Sequence, residues 1–409
     1  MSAPRDLSSL RVLVLEGGLN SSLAAIRALG RAGVHVTVAD HHRVSPGLWS
    51  RHAKARLRCP DPEQDKHAFL DWIVEHVAAH AYDAVFPMSD FTVIPLIDRR
   101  DDVEAHTRLA MAPSDQLRVA HDKAQTFALA EQAGVSMPET HVPANAEEAA
   151  ALAPTLSYPR VVKPRSKEFW DGGRPLIHKV TARNFVTSPE ELLAVWADVH
   201  RVAPNPLIQE CIPGDGFGFF ALRVDGEVKQ VFGHRRLREY PLSGGASSLR
   251  ESHLDADMEA EGRRMLDALN WDGVAMVEFK RDARDGRPKL MEVNGRFWGS
   301  LSLPLAADVN FPLLYLRALL GDELPTLARG FEDGVRCRAL LPFDLLWLFA
   351  SLKRPGRLRA LGQFLRPDGW NCDVVSLRDP LPTLGACALL ARRALDVASG
   401  RLTLDGERR

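Results

Sequence analysis

A heptapeptide in the second half of the chain, Leu290-Met291-Glu292-Val293-Asn294-Gly295-Arg296, alternates polar and apolar residues with a period of two. In an extended strand, successive side chains point to opposite faces, so Glu292, Asn294 and Arg296 share one face. A carboxylate, an amide and a guanidinium side by side do not make a core face. Upstream, Val274-Ala275-Met276-Val277-Glu278-Phe279 sets another carboxylate into an otherwise apolar strand, and the turn-forming run Asp282-Ala283-Arg284-Asp285-Gly286-Arg287-Pro288 separates the two. The spacing predicts a hairpin that packs by one face and does chemistry with the other. Hard oxygen ligands of this kind suit Mg²⁺, which takes one or two carboxylates together with phosphate oxygens, and a neighbouring arginine can offset charge on a transferring phosphoryl group.

The rest of the chain must therefore supply a nucleotide site, and its composition permits one. With 409 residues, 45% hydrophobic and 26% charged, the chain is long enough for several compact units and has no signature of disorder. Lys plus Arg number 52 against 53 Asp plus Glu, and a net charge of −1 gives no global attraction to nucleic acid or to an anionic membrane. Neither is expected as a partner. Five scattered cysteines, Cys59, Cys211, Cys337, Cys372 and Cys387, include no C-x-x-C pair and fit reduced thiols in a cytoplasm. The amino terminus lacks the apolar run of a signal peptide, and Glu16 interrupts the first hydrophobic segment. The most apolar tracts, residues 339–350 and 381–395, contain Asp344 and Arg392-Arg393 and fall short of the roughly 20 residues of a spanning helix. They read as core or interfacial helices.

Along the chain, Arg11-Val12-Leu13-Val14-Leu15 predicts a buried parallel strand, followed by Gly17-Gly18, a helix through Ala32 and a second strand ending in Asp40. This unit has no G-x-G-x-x-G, so it reads as structural and not as a dinucleotide site. A helix over 66–80, a strand over 84–87 and a loop Met88-Ser89-Asp90 that caps a further helix come next. One long helix is predicted over 114–134, stopped by Gly134 and Pro138. Pro159-Arg160-Val161-Val162-Lys163-Pro164 and Leu207-Ile208-Gln209-Glu210-Cys211-Ile212 are strands ended by proline. Helices over 190–200 and 257–269 interrupt them. Beyond about Pro325 the chain becomes Arg-rich, with prolines between short apolar helices.

Two lysines stand out. Lys123 opens a helix after Asp122, and Lys163 ends a strand; each can place a point charge on phosphate, although alone each reads as a solvated surface residue. In order and spacing, Asp122-Lys123, Gly134-Val135-Ser136-Met137-Pro138, Tyr158 to Pro164, Gln209 to Gly214, Glu278 and the E-x-N-x-R run Glu292 to Arg296 resemble the ATP-grasp superfamily, and within it the carboxylate-amine ligases. The resemblance covers about residues 11 to 325, and its last motif is its most specific. It implies an α/β and α+β architecture: a Rossmann-like pre-ATP-grasp domain over 1–112, a lid subdomain with its linking helix over 113–215, a palm subdomain with the metal site over 216–325, and a small helical extension over 326–409. It also implies that Lys123 and Lys163 bind phosphates, that Gln209, Glu210, Cys211 and Ile212 form an adenine hinge, and that Asp215 meets the ribose. Glu278, Glu292 and Asn294 would hold Mg²⁺, with Mn²⁺ as an alternative, and Arg296 would stabilise the transferring phosphoryl group of ATP.

The loop after Lys163, Arg165 to Arg174, departs from the glycine-dense phosphate loop of that superfamily, carrying one Gly-Gly and several cations. For the substrate side the resemblance implicates the segment Gly233 to Ser248, with Arg236 and Arg238 as catalytic candidates, Arg235, Gly245 and Ser247 as substrate contacts, and Arg250 as a further partner. The expected reaction joins a small carboxylate to an amine through an acylphosphate, in a cytoplasmic enzyme, with a homodimer left open. Bicarbonate activation, a catalytically silent nucleotide-binding protein and a nicotinamide oxidoreductase are the rival readings. Residues 326–409 are expected to cover the core or mediate a dimer, with contact to a membrane surface as the third option.

Overall fold

The computed structural model describes residues 5–166, 168–171, 174–177, 180–242, 245–324, 330–366 and 371–399. Short apolar runs at the amino terminus form strands β1 (Arg11–Val14), β2 (His35–Asp40), β3 (Ala53–Arg58), β4 (Ala84–Phe86) and β5 (Arg108–Leu109). They make a parallel sheet of order β3-β2-β1-β4-β5. The order reverses between β1 and β4, which leaves a crevice beyond their carboxyl ends. Helix Asp90–Ile97 begins there, capped by Ser89. The edge strand β3 has no apolar run to announce it, because Lys54, Arg56 and Arg58 alternate along it and blunt the sheet edge.

The predicted long helix over 114–134 is two helices, Ser114–His121 and Lys123–Gln132. Asp122 is extended between them, and its carboxylate accepts the backbone N–H of Ala124 at 2.9 Å. The cap needs non-helical backbone, so it interrupts a pattern whose apolar spacing is continuous. Next come β6 (Thr140–His141), β7 (Arg160–Lys163), the hairpin of β8 (Glu168–Asp171) and β9 (Arg174–Ile177), β10 (Phe185–Val186) and β11 (Leu207–Glu210). Four of these form an antiparallel sheet of order β10-β7-β11-β6. Its core, with Val162, Trp196, Val199 and Ile208, is its own.

The largest sheet carries β12 (Gly216–Val224), β13 (Glu227–Tyr240), β14 (Ala246–Ser252), β15 (Gly273–Arg281), β16 (Pro288–Asn294), β17 (Arg336–Arg338) and β18 (Asn371–Cys372), in the order β16-β15-β12-β13-β14-β17-β18. The carboxy-terminal segment, expected to be helical, thus also contributes two strands to this edge. The amino-terminal sheet shares a core with the large sheet on each face: Leu13 and Val85 cluster with Phe219 and Trp271, and Val12 and Phe86 with Phe220 and Trp298. These two sheets are joined by shared cores, whereas the small sheet is built mainly around its own cluster and meets them through Leu207 of β11. At the linker, Gly214 has φ +134°, and a Cβ there would sit 1.9 Å from the carbonyl oxygen of Arg281. Only glycine fits so close an approach.

The carboxy-terminal segment is tied back onto the amino-terminal helix Asn20–Arg31 by one buried arginine. Arg27 donates to the Asp379 carboxylate at 2.9 Å and to the carbonyls of Asp373, Val374 and Asp379 at 2.9, 2.9 and 3.0 Å. Replacing Arg27 by Ala removes the guanidinium paired with Asp379, which keeps only Ser50 and the Arg51 N–H, and takes one donor from each of three buried carbonyls. Urea unfolding should show Arg27→Ala losing about 3–5 kcal/mol, with Arg27→Lys recovering only part, because one ammonium cannot reach all four acceptors.

Candidate active site

The pairing of β15 with β16 decides where the carboxylates stand. Met276 faces Asn294, Val277 faces Val293 and Glu278 faces Glu292; the register then shifts, so Phe279 faces Leu290 and Met291 is the extra residue. The bulge ends regular pairing beside the two acids. Asn294 Nδ2 lies 3.3 Å from Glu278 Oε1 and 3.3 Å from Glu292 Oε1. Each carboxylate has its own cation: Arg236 donates to Glu278, and Lys123 Nζ lies 3.5 Å from Glu292 Oε2. Glu278 and Glu292 expose only 19% and 17% of their side chains, so without those cations their repulsion would be screened poorly. No group of three or more His, Cys, Asp or Glu side chains among the described residues is placed to hold a metal. The donor set on this face is two carboxylates and an amide, which fits a Mg²⁺ ion that keeps its other positions for phosphate and water.

Lys163 ends β7 and donates to Gln209 Oε1 at 2.7 Å, and Gln209 donates in turn to Thr140 Oγ1 at 2.9 Å. Burial, reinforced by the nearby Lys123 charge, lowers the Lys163 ammonium to about 8. The loop leaving β7 is fastened to the helix that carries Lys123. The Lys123 N–H donates to the Arg165 carbonyl at 2.8 Å, and Arg165 Nε donates to Asp122 Oδ1 at 3.0 Å. Both lysines therefore sit at one junction, above Glu292. Beyond β11, the Glu210 N–H donates to the Glu139 carbonyl at 2.9 Å, and the Glu210 carboxylate pairs with Arg284 at 2.6 Å. Lys280 donates to the buried Ile212 carbonyl at 3.0 Å, and Cys211 between them is half-buried, its thiol pushed up by burial. Asp215 is exposed at the linker, where its carbonyl accepts the Arg281 N–H at 3.0 Å.

Arg296 reaches across to the amino-terminal unit. Its Nε and Nη2 lie 3.2 and 3.0 Å from Asp90 Oδ2, and Nη2 donates to Asn294 Oδ1 at 3.0 Å. Asp90 opens the helix at the crevice between β1 and β4, and in sequence it reads only as a helix-capping residue. Glu16 closes the same crevice. It accepts from Ser89, from Thr92 at 2.7 Å and from the Met88 N–H at 3.2 Å, in a backbone with φ +56° that is uncommon for glutamate. Burial pushes its carboxyl up to about 7 against these three hydrogen bonds. A small cavity lined by Asp90, Leu117, His121, Lys123, Glu292 and Asn294 joins the crevice to the carboxylate face. Nothing in the spacing of Glu16 or Asp90 links them to residues 278–296; only the fold does.

The substrate segment divides. Arg236 lies on the carboxylate face, also donating to the Gly245 carbonyl at 3.3 Å. Arg235 is the next residue along the strand, so the pleat turns it to the opposite face, where it pairs with Glu251 at 2.9 Å; the substrate contact expected of it is not what the geometry offers. A bulge after Arg236 pairs Arg238 with Leu249 and breaks the alternation. The Arg238 guanidinium is committed to the buried Asp344 at 3.1 Å and to the Gln363 carbonyl at 2.6 Å, holding the carboxy-terminal segment and not facing Glu278. Ser247 donates to the Leu249 carbonyl at 3.1 Å. Arg250 is buried against Asp373. Ser243 and Gly244, like Lys167, Gly172 and Gly173 of the phosphate loop, lie outside the described residues.

Comparison with known proteins agrees with this geometry. Residues 204–340 match the model of the family described as "ATP-grasp in the biosynthetic pathway with Ter operon". The chain is 25% identical over 340 residues to the formate-dependent phosphoribosylglycinamide formyltransferase of Synechococcus sp. (strain WH7803), covering 81% of each chain. It is 27% identical over 229 residues to the D-alanine–D-alanine ligase of Pseudomonas entomophila (strain L48), covering 51% of this chain and 66% of that one. Among solved structures, the biotin carboxylase domain of Hydrogenobacter thermophilus 2-oxoglutarate carboxylase, in complex with MgADP, ADP and bicarbonate, superposes with a TM-score of 0.62. That match has 16% identity and covers 80% of this chain and 73% of the other. The mixed α/β architecture, the E-x-N-x-R strand and these matches agree: residues 204–340 carry the match to an ATP-grasp family model, and the chain is similar to ATP-grasp ligases over most of its length.

Proposed function

We propose that this chain activates a carboxylate as an acylphosphate at the expense of ATP and transfers the acyl group to an amine, releasing ADP and phosphate. The observation that carries this reading is the set of Glu278, Glu292 and Asn294 on one strand face, flanked by Arg236 and Lys123 and tied through Arg296 to a second crevice. Glu278, Glu292 and Asn294 would hold Mg²⁺, which supplies charge neutralisation between the β- and γ-phosphates. Lys123 and Lys163 would bind the phosphates, with Gln209 to Ile212 against the adenine and Asp215 at the ribose. Arg296 offsets charge on the transferring group. Arg236 keeps Glu278 oriented and is the one arginine of the substrate segment on the right face to meet an incoming carboxylate.

The substrates are small molecules, and we assign the amine to the crevice between β1 and β4, where Glu16 and Asp90 offer negative charge a short way from Arg296. Closure of the lid over 113–215 onto the palm over 216–325 would exclude water from the acylphosphate. Residues 1–112 then act as the acceptor platform, and residues 326–409 brace it. No described helix is long and apolar enough to cross a membrane, and a cytoplasmic location is the reading adopted. A homodimer is compatible with it. Bicarbonate activation shares the fold, but the curated relatives above favour acyl transfer to an amine.

A screen of small carboxylic acids and amines for ADP release tests the proposal. Release should need both an organic acid and an amine, and release that needs only bicarbonate overturns it. With a working pair, Glu292→Gln and Glu278→Gln should each lower turnover on the order of 10²-fold or more, as expected for removal of a charge aimed at the transition state. The pH dependence of Mg-ATP binding reads Lys163 directly. Its ammonium is charged below about pH 8 and neutral above it, so affinity should be level below that point and fall by about tenfold per pH unit above it. Lys163→Arg, charged throughout, should flatten the profile.

Glu16 gives the opposite slope. Its carboxylate form dominates above about pH 7, so the amine-dependent step should rise through that pH. Glu16→Gln should remove the rise while leaving Mg-ATP affinity unchanged; an unchanged amine KM and profile would move the amine elsewhere.

A further inference from the structure

The carboxy-terminal segment holds a helical hairpin with its apolar side turned the wrong way for folding. Helix Leu345–Leu352 and helix Arg357–Leu365 pack inward through Trp347, Leu348 and Ala360, with Phe364 against them, onto Tyr240 and Leu242. The inner side is also clamped by charge. Arg238 lies 4.4 Å from the centre of the Trp347 ring and donates to the Gln363 carbonyl, and Arg338 lies 4.6 Å from the Phe364 ring. The hairpin is thus mounted on the large sheet without using its outer face.

That outer face is apolar at helical spacing. Leu346, Phe349 and Leu352 recur every three residues on the first helix, and Leu358, Leu361 and Leu365 at three and four on the second, so each set forms one stripe. All six are exposed, Phe349 at 60%, Leu365 at 69% and Leu358 at 78%. Around them stand Lys353, Arg354, Arg357, Arg359 and Arg366, and residues 345–366 contain no Asp or Glu, in a chain whose net charge is −1. Two contiguous apolar stripes with a cationic border call for a partner that is apolar and anionic together.

We propose that this hairpin docks the protein on an anionic lipid surface, lying in the headgroup plane with both leucine stripes in the acyl boundary and its five cations on lipid phosphates. The lengths fit: helices of eight and nine residues cannot span a bilayer but can lie along its interface. The charge selects lipid over a second copy of the chain. An isologous contact would set the same cations against themselves, and like charges brought face to face in a desolvated interface are costly. The proposal goes beyond the ligase reading and does not depend on it.

Sedimentation of the full-length protein with vesicles tests it. The chain should co-sediment with phosphatidylcholine vesicles containing phosphatidylglycerol, sediment far less with phosphatidylcholine alone, and be released by salt, because surface attraction is screened within about 10 Å at 0.1 M. Lys353→Glu with Arg354→Glu, and separately Leu358→Asp with Leu365→Asp, should each lower the partition coefficient at least about tenfold. None of these residues belongs to the ATP site, so Mg-ATP affinity and the melting temperature should stay at the parental values. Equal sedimentation with neutral and anionic vesicles, or none with either, overturns the proposal. So does self-association in solution that the leucine substitutions abolish, which would make the face a contact between copies.

Discussion

Two glutamates abreast on neighbouring strands are the constraint around which the rest is arranged. Glu278 and Glu292 face each other across the β15–β16 ladder in a site that water reaches only partly, and like charges in that position are unfavourable unless each is offset. Arg236 comes from the next sheet position but one, and Lys123 from a helix that belongs to neither strand. The second contact forces the linking helix to break at Asp122, because Lys123 must leave the cap pointing at Glu292. The same break lets Arg165 bind Asp122 and fixes where the chain leaves Lys163. The carboxylate face and the two lysines are therefore positioned by one local demand for charge balance.

A second joint links that face to the crevice of the parallel sheet. Arg296 takes Asp90 as its partner, and Asp90 sits one residue after the cap Ser89, which itself binds Glu16. The guanidinium proposed to offset charge on a phosphoryl group is in this way held by the helix start at the crevice. Shared cores on both faces of the amino-terminal sheet brace the joint, whereas the small sheet has a cluster of its own.

The strands, the hairpin and the carboxylate-amide face were legible because they are local. A period of two puts Glu292 and Asn294 on one face whatever surrounds them, and Glu278 follows once the turn at 282–288 is recognised. Lys123 and Lys163 read alone as solvated surface residues, and only order and spacing along the chain single them out; the fold brings both to one junction beside Glu292. Arg235 and Arg238 part from Arg236 for a physical reason: a run of cations reads as one patch, but the pleat and a single bulged residue give its members different partners. Strand β3 escaped notice because charge alternates along this edge strand in place of an apolar signal, and the two carboxy-terminal strands because three and two residues are too short to show a period.

What the amino-acid sequence determined by itself was the chemistry of each short segment: a metal-and-phosphate face, a parallel αβ unit, and an Arg-rich apolar tail. These follow from periodicity and composition within a few residues, where backbone geometry leaves little choice. Tertiary structure alone decided the company those segments keep. Asp90 meets Arg296 across 206 residues, Arg27 meets Asp379 across 352, and Glu16 acquires a carboxyl near 7 only because the fold buries it, against the hydrogen bonds from Ser89 and Thr92. Burial and long-range contact set a pKa, a partner or an exposed leucine stripe, and neither is written in the order of residues on either side.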